Sequence, residues 1–486
     1  MREDNIRYES LYRALRMQID SGVIRQGAYL PAQQTLCRQF NVGITTVRRV
    51  MRMLEADGLI TCASGSRARV CVSLDDAACA AALLQRQESI RDILSGLACI
   101  MPTLYVQGAL RGSAVPDLPA LIAQIRPDMN LAAVYRLGAA CFSELLVPFR
   151  NAVLLDLQSD LSQYSQIPDL PFTGLANPFA VPPQAARAYL SRFHALLEQK
   201  QADALASWFR QVFGWMDRQA DAYFTSLRRQ YACGEAAPPY QWFAAKGRAH
   251  LYTLVARSLY RRIEAGEFVN RTYLPSVPEI MQTYTVSKST ASAAVALLSD
   301  VGMVRTIDKK GIVRQESGEK APLRLAGGVI AEHLVLFLDA LQILALCAEP
   351  LARAAYGAMN RAQKQALCAA WAREAQAVSG TRTVMLLVDF LQRYVPQDCL
   401  KRILSQFDDL LIWGHYLTRI GEIFDEFYAL DAEIITQFQV LCRTWRSGDE
   451  SACAQIIASI FKKMFYIARE YLTRSGTFSL ALPAAL

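Results

Sequence analysis

The chain repeats itself. A shift of 244 residues brings its two halves into register without a gap over about fifty positions. Tyr8 falls on Tyr252, Leu15 on Leu259, Ile19 on Ile263 and Gly22 on Gly266; "YLPA" (29–32) falls on "YLPS" (273–276); Leu36 meets Ile280, Thr46 meets Thr290, Leu54 meets Leu298 and Gly58 meets Gly302. Further on the likeness is weaker. "FSELLVPFRNAVLLDL" (142–157) parallels "FLQRYVPQDCLKRILS" (390–405), and "FHALLEQKQADALA" (193–206) parallels "FQVLCRTWRSGDESACA" (438–454) with a gap. Repetition on this scale restricts the fold, because each half must build the same architecture from its own residues. The expected organisation is a small unit over 1–73, a larger one over 74–232, a Pro/Gly-bearing linker "CGEAAPPYQ" (233–241), a second small unit over 242–316 and a second large one over 317–486.

Charge separates the two kinds of unit. Residues 1–73 hold 11 Lys/Arg against 6 Asp/Glu, residues 242–316 hold the same numbers, and the remainder is close to neutral within a net charge of +8. Two basic units on neutral partners are a footprint for phosphate binding, and solvated surface is the bland alternative. The 12 Cys form no Cys-x-x-Cys pair and only four His occur, so no zinc motif is readable, and buried thiols in a reducing cytoplasm account for the cysteines. The charged start "MREDNIRYES" is not a signal peptide, and the most apolar run (329–347) carries Glu332, His333 and Asp339, which suits a core helix better than a membrane span.

In the first small unit Leu11, Leu15 and Ile19 recur every four residues and give a helix one apolar face. Leu36 and Phe40 anchor a short second helix, "NVG" is a turn, and Val47, Val50, Met51 and Leu54 line one face of a third. Its other face shows Ile44, Thr45, Arg48, Arg49 and Arg52. "LITCASGSRARVCVS" (59–73) can form two short strands with Arg67 and Arg69 near their tip. Helix, helix–turn–helix and hairpin in that order is a winged helix-turn-helix, whose third helix can enter the major groove of double-stranded DNA while the wing touches backbone or minor groove. The alternative is a small helical bundle with a basic surface, which two copies in one register make harder to sustain.

"IDSG", "LPA", "VGITTVRR", "DGLI" and "SGSRARV" resemble, in order and spacing, the pattern of the GntR family of bacterial transcription regulators; "IEAG", "LPS", "VSKSTAS", "VGMV" and "DKKGIV" resemble it again. The resemblance implies DNA contact from Thr45, Thr46, Arg48, Arg49, Arg52, Arg67 and Arg69 in the first copy. In the second it implies contact from Ser287, Lys288, Ser289, Thr290, Ser292, Lys309 and Lys310. Each copy departs from the pattern in a different place: Gln33 and Gln34, or Val277 and Pro278, stand where the family has Glu and Arg, and Gly43 stands where it has Ser.

The large units read as long helices joined by short loops, so the fold class is mainly α: two winged helix-turn-helix domains, each followed by an all-helical bundle, in an internal pseudo-two-fold repeat. One stretch, "SQIPDLPFTGLANPFAVPPQ" (165–184), is Pro-rich without a partner in the second half, where "GHYLTRIGEIFDEFYALD" looks helical; a lid, packing or a dimer contact would each explain it. "LQILALCAEPLARAA" (341–355) is similar to the opening helix of the effector domain in the FadR-like subfamily. Many such domains hold a metal with an Asp and three His. Those positions fall on Ala139, Ser143, His194 and near Gly214 in the first half, and on Leu387, Leu391, Gln439 and near Ile460 in the second. No metal and no cofactor are therefore expected. Arg136, Arg150, His194 and Arg393 are the remaining candidates for a small organic effector, with salt bridges or packing as the plainer use of each.

The function expected is sequence-specific DNA binding by a cytoplasmic transcription regulator, as a single-chain pseudo-dimer reading two unlike half-sites, with a small-molecule effector and a further homodimer both conceivable. Two alternatives stay open: a first unit that binds DNA beside a second that only packs or dimerises, and a scaffold that binds no DNA. No nucleophile–base pair, phosphate loop or metal cluster is legible, so an enzyme is not expected.

Overall fold

The computed structural model describes residues 3–40, 42–62, 67–111, 118–129, 131–168, 170, 174–244, 251–264, 266–300, 302–315, 328–375, 380–411, 413–414, 424–474 and 482–486. The first winged unit comprises α1 (Glu3–Asp20), α2 (Gln33–Phe40), α3 (Ile44–Ala56) and an antiparallel hairpin of β1 (Ile60–Thr61) and β2 (Arg69–Val70). The second comprises α10 (Leu251–Glu264), α11 (Val277–Tyr284), α12 (Lys288–Asp300), β3 (Val304–Ile307) and β4 (Gly311–Arg314). The spacing of apolar residues produces both. Leu11, Leu15, Ile19, Leu36, Val47, Val50 and Leu54 are buried together, as are Leu259, Ile263, Ile280, Ala291, Ala294 and Leu298 in the second copy. The repeated glycines Gly22 and Gly266, and Gly58 and Gly302, all sit at φ between +71° and +76°, a left-handed conformation that closes a helix without a Cβ penalty.

The first bundle contains α4 (Asp76–Leu110), α5 (Leu118–Gln124), α6 (Leu131–Glu144), α7 (Ala152–Tyr164), α8 (Pro183–Glu198) and α9 (Ala202–Gln230). The second contains α13 (Gly328–Ala358), α14 (Arg361–Glu374), α15 (Gly380–Tyr394), α16 (Asp398–Leu411), α17 (Phe424–Ser447) and α18 (Glu450–Arg474). α4 packs along α9 as α13 packs along α18. α4 and α13 are long and apolar enough to cross a membrane by length and composition, but most of each lies buried against other helices. They are core helices. The Pro-rich segment packs rather than projecting: Ile167, Leu170 and Phe179 join Leu83, Ala220 and Phe224 of α4 and α9 in a satellite core, and Asn177 donates to the Ile167 carbonyl at 2.8 Å. Half of the stretch read as helical at 414–431, residues 415–423, falls outside the described residues.

The two halves meet through reciprocal contacts. α7 packs on α13, and its repeat counterpart α16 packs on α4. Asn151 and Cys399 occupy the same position of the repeat ("VPFRN" and "VPQDC"). Asn151 Nδ2 donates to the Asp339 carbonyl of α13 at 2.8 Å, and Cys399 Sγ points to the Asp92 carbonyl of α4 at 3.4 Å. The two aspartates also hold the opposite helix starts: the Asp92 carboxylate accepts from the Asp398 and Cys399 amides at 2.9 and 2.6 Å, and the Asp339 carboxylate accepts from the Val153 amide at 3.4 Å. A residue of one half contacting its partner, and the partner's counterpart contacting back, is the pattern of an isologous interface. The sides differ in polarity. Asp339 is 1% exposed, with Oδ1 unpartnered, and burial pushes its carboxyl up to about 7.

Attachment of the winged units is unequal. The first has an apolar core of its own. Arg25 reaches Asp76 at the start of α4 at 3.7 Å, and Gly22 lies against Cys79. The apolar residues of the second are continuous with the helical body. Arg257 on α10 pairs with Asp409 of α16 at 2.9 Å, and Arg261 pairs with Asp408 and Asp409 at 2.6 and 2.7 Å. Burial pushes both carboxyls up, against the pull of those arginines. The end of the expected linker and the start of the second small unit join this junction: Tyr240 of the linker donates to Asp160 at 2.7 Å, Trp242, the first residue of the second small unit, donates through Nε1 to Asp156 at 3.3 Å, and the Trp242 ring stands edge-on to Phe407 of α16.

Candidate nucleic-acid interface

α3 begins at Gly43, whose backbone is extended and which supplies no side-chain cap. Burial of Val47, Val50, Met51 and Leu54 turns the rest of the helix outward. Ile44, Thr45, Arg48, Arg49 and Arg52 are exposed and Thr46 is half-buried. Arg48 and Arg52, four residues apart, lie on one face one turn above the other. Arg49 is engaged within the unit, its guanidinium 3.7 Å from the centroid of the Tyr8 ring on α1. In the wing, Arg67 Nε donates to the Leu30 carbonyl at 3.2 Å and Arg69 Nε to the Gly27 carbonyl at 2.9 Å. Both arginines thus tie the hairpin to the loop before α2 and offer only their remaining N–H groups outward. Residues 63–66 at the tip lie outside the described residues.

α12 has the side-chain cap that α3 lacks. Ser287 Oγ accepts from the Thr290 amide at 3.2 Å and lies 2.9 Å from both the Ser289 and Thr290 hydroxyls. Capping satisfies an orphan amide of the first turn. Lys288, Ser289 and Ser292 are exposed on the outer face and Thr290 is half-buried. α10, not α12, carries the ion pairs to α16, so docking on the bundle leaves the face of α12 open. Lys309 and Lys310 are exposed at the hairpin turn, Lys309 at φ +56°.

Two residues missed in the sequence join this surface. Tyr29 is 54% exposed beneath Arg67, whose guanidinium lies 5.5 Å from its ring centroid; its repeat counterpart Tyr273, 39% exposed, packs beside Gly311 at the root of the second wing. The signal was present in the repeated "YLP", where the tyrosine passed as part of the frame. An exposed hydroxyl among cationic wing residues can donate to a phosphate.

Arg150 is exposed at a left-handed turn, Arg393 is exposed on the last turn of α15, and the Arg136 side chain lies outside the described residues. His194 sits 3.6 Å from Glu198 one turn along its own helix. Ser143 bonds Gln158 at 3.3 Å, and Leu387, Leu391 and Ile460 are buried apolar residues. Among the described residues no group of three or more His, Cys, Asp and Glu could hold a metal ion. Aromatic rings fill the bundles instead: Phe142, Phe193, Trp208 and Phe209 in the first, Trp371, Phe390, Phe438 and Trp445 in the second.

The fold and exposed helix face define a DNA-binding transcription regulator of the winged helix-turn-helix class. Residues 7–70 and 251–313 each match the family model of bacterial regulatory proteins, gntR family. Among solved structures, E. coli McbR/YncC is similar at 17% identity, covering 46% of this chain and 97% of that one, with a TM-score of 0.25. Streptococcus agalactiae GntR is similar at 15% identity over 43% and 99%, with a TM-score of 0.21. A third, described as "Lar controls the expression of the Listeria monocytogenes agr system and mediates virulence", is similar at 16% identity over 45% and 96%, with a TM-score of 0.22. No curated protein matches the chain.

Proposed function

We propose that this regulator is a single-chain pseudo-dimer that reads two unlike half-sites of one operator. The reciprocal seam carries the reading: Asn151 to Asp339 and Cys399 to Asp92 relate the halves as a two-fold axis relates subunits. Fusion raises the effective concentration of the second half-site contact. The unlike faces of α3, rich in arginine, and of α12, with Lys288 among serines and alanines, favour unlike sequences. Thr45, Thr46, Arg48 and Arg52 meet DNA in the first half, and Ser287, Lys288, Ser289, Thr290 and Ser292 in the second. Arg67, Arg69, Lys309 and Lys310 add wing contacts. Phosphate contact by these cations makes affinity fall with salt. The helical units serve as FadR-like effector domains that respond to a small organic molecule, in the cytoplasm.

The rival, in which the second unit only packs, draws on the commitment of Arg257 and Arg261 to α16. The exposed face of α12 favours the pseudo-dimer. Gel shifts with genomically selected DNA decide between them. The pseudo-dimer requires that Arg48→Ala and Lys288→Ala each weaken binding, by about tenfold and a few-fold. Loss confined to Arg48→Ala establishes the rival, and no shift of any DNA at low salt establishes the scaffold.

A further inference from the structure

Ile44 opens α3 at the register position that Lys288 holds in α12. The apolar core of the first winged unit takes in Val47, Val50, Met51 and Leu54 of α3, and Val42, two residues before Ile44, packs against it. Ile44 stands outside that cluster and is 38% exposed. One exposed apolar residue needs no explanation in itself; this one is singled out by where it stands. Arg48 lies one helical turn beyond it and Thr45 beside it, both exposed, so Ile44 is continuous with the face proposed to meet DNA. Gly43, immediately before it, puts no side chain in the way: a Cβ built there would meet Thr45 Oγ1 at 3.7 Å and no other described atom within 4 Å. A helix lying in the major groove presents its first residues to the base edges. β-branching leaves Ile44 few rotamers, so contact costs it little freedom.

We propose that Ile44 is a specificity-determining residue of the first reader and recognises the C5 methyl group of one thymine. An isoleucine side chain neither donates nor accepts a hydrogen bond, so the amino, carbonyl and ring-nitrogen groups of the base edges give it nothing to read. The apolar group that the major groove presents is the thymine methyl. The second copy supplies the contrast. Lys288 is exposed at the same position, behind the Ser287 cap, and its ammonium brings three donors that seek acceptors and gain nothing from a methyl. The need for the methyl therefore belongs to the half-site under α3 and not to the one under α12. The inference rests on reading the chain as a DNA-binding regulator with two unlike half-sites, and it names one base that makes them unlike.

Thymine-to-uracil substitution tests it, because uracil lacks only the C5 methyl and keeps every hydrogen-bonding group. Each thymine of the operator selected by the full chain is replaced singly, and affinity is read by gel shift at fixed salt. One replacement, in one half-site, weakens binding about fourfold, the worth of burying one methyl group. Ile44→Ala weakens binding to the unsubstituted operator by a similar factor and erases the uracil penalty at that position, whereas Ile44→Val keeps most of it. Free Ile44→Ala melts with the parent, as an exposed position requires. A flat uracil profile overturns the proposal, and so does a penalty that survives Ile44→Ala. A melting temperature lowered as for a core residue would make Ile44 structural and overturn it as well. Absence of any DNA complex would fell the regulator reading itself, whereas firm binding with a flat profile fells this inference alone.

Discussion

The two winged units share a register and a fold and differ in what surrounds them. The first closes its core alone and touches α4 through Arg25–Asp76 and Gly22–Cys79. The second continues into the bundle, locked by Arg257 and Arg261 on Asp408 and Asp409 and preceded by Tyr240 at the end of the linker, with Trp242 as its own first residue. Duplication evidently preserves what a fold requires, namely apolar spacing and left-handed glycines, and frees the surface to diverge. The first copy has an arginine-rich exposed helix face and no side-chain cap at its start. The second kept a well-capped helix with few cations and spent α10 on anchorage.

The seam should show the largest effect. Asp339 is held up to about 7 by burial, above the ordinary carboxyl value, so the folded state holds its proton more tightly than the unfolded state. Its contribution is complete below the unfolded pKa and declines as pH rises to about 7. Asp339→Asn should therefore gain stability over the parent at pH 8, by up to about 4 kcal/mol, and converge with it near pH 4. Denaturant titrations at the two pH values read this, and a constant difference would remove the polarity contrast between Asp339 and Asp92.

Next comes the anchorage. Replacing Asp408 and Asp409 together by Asn leaves Arg257 and Arg261 partly buried and unpaired, at a cost of about 3 kcal/mol. Asp76→Asn at the first unit, where Arg25 is largely exposed, should cost less than about 1 kcal/mol. Hydrogen exchange resolved by domain separates the two, and equal losses would erase the difference in attachment.

Both helical faces and the wing hairpins were legible in the sequence because they follow from period and turn chemistry. Val47, Val50, Met51 and Leu54 are buried where the spacing placed them. The packing at the linker was not legible: "CGEAAPPYQ" has loop composition, and its Tyr240 and the following Trp242 find Asp160 and Asp156 only in three dimensions. Nor could spacing show that Arg49 stacks on Tyr8, or that Arg67 and Arg69 bond to the 27–30 loop, since those partners are 37 to 42 residues apart. Asp339 looked like an ordinary helix residue, because desolvation depends on neighbours that the sequence does not name.

The smallest expected effects concern the helix starts. Gly43→Ser has room for its Cβ and supplies the missing cap, gaining about 0.5 kcal/mol, whereas Ser287→Ala should lose about 1 kcal/mol. Melting of each variant checks the sign, and a gain from both would break the contrast in capping.

The most direct test of the pseudo-dimer is the native mass of the chain on its selected operator, read together with a footprint. The account predicts one chain per operator, protecting two unlike half-sites about one helical turn, roughly 10 base pairs, apart. A perfect palindrome occupied only by two chains would contradict it.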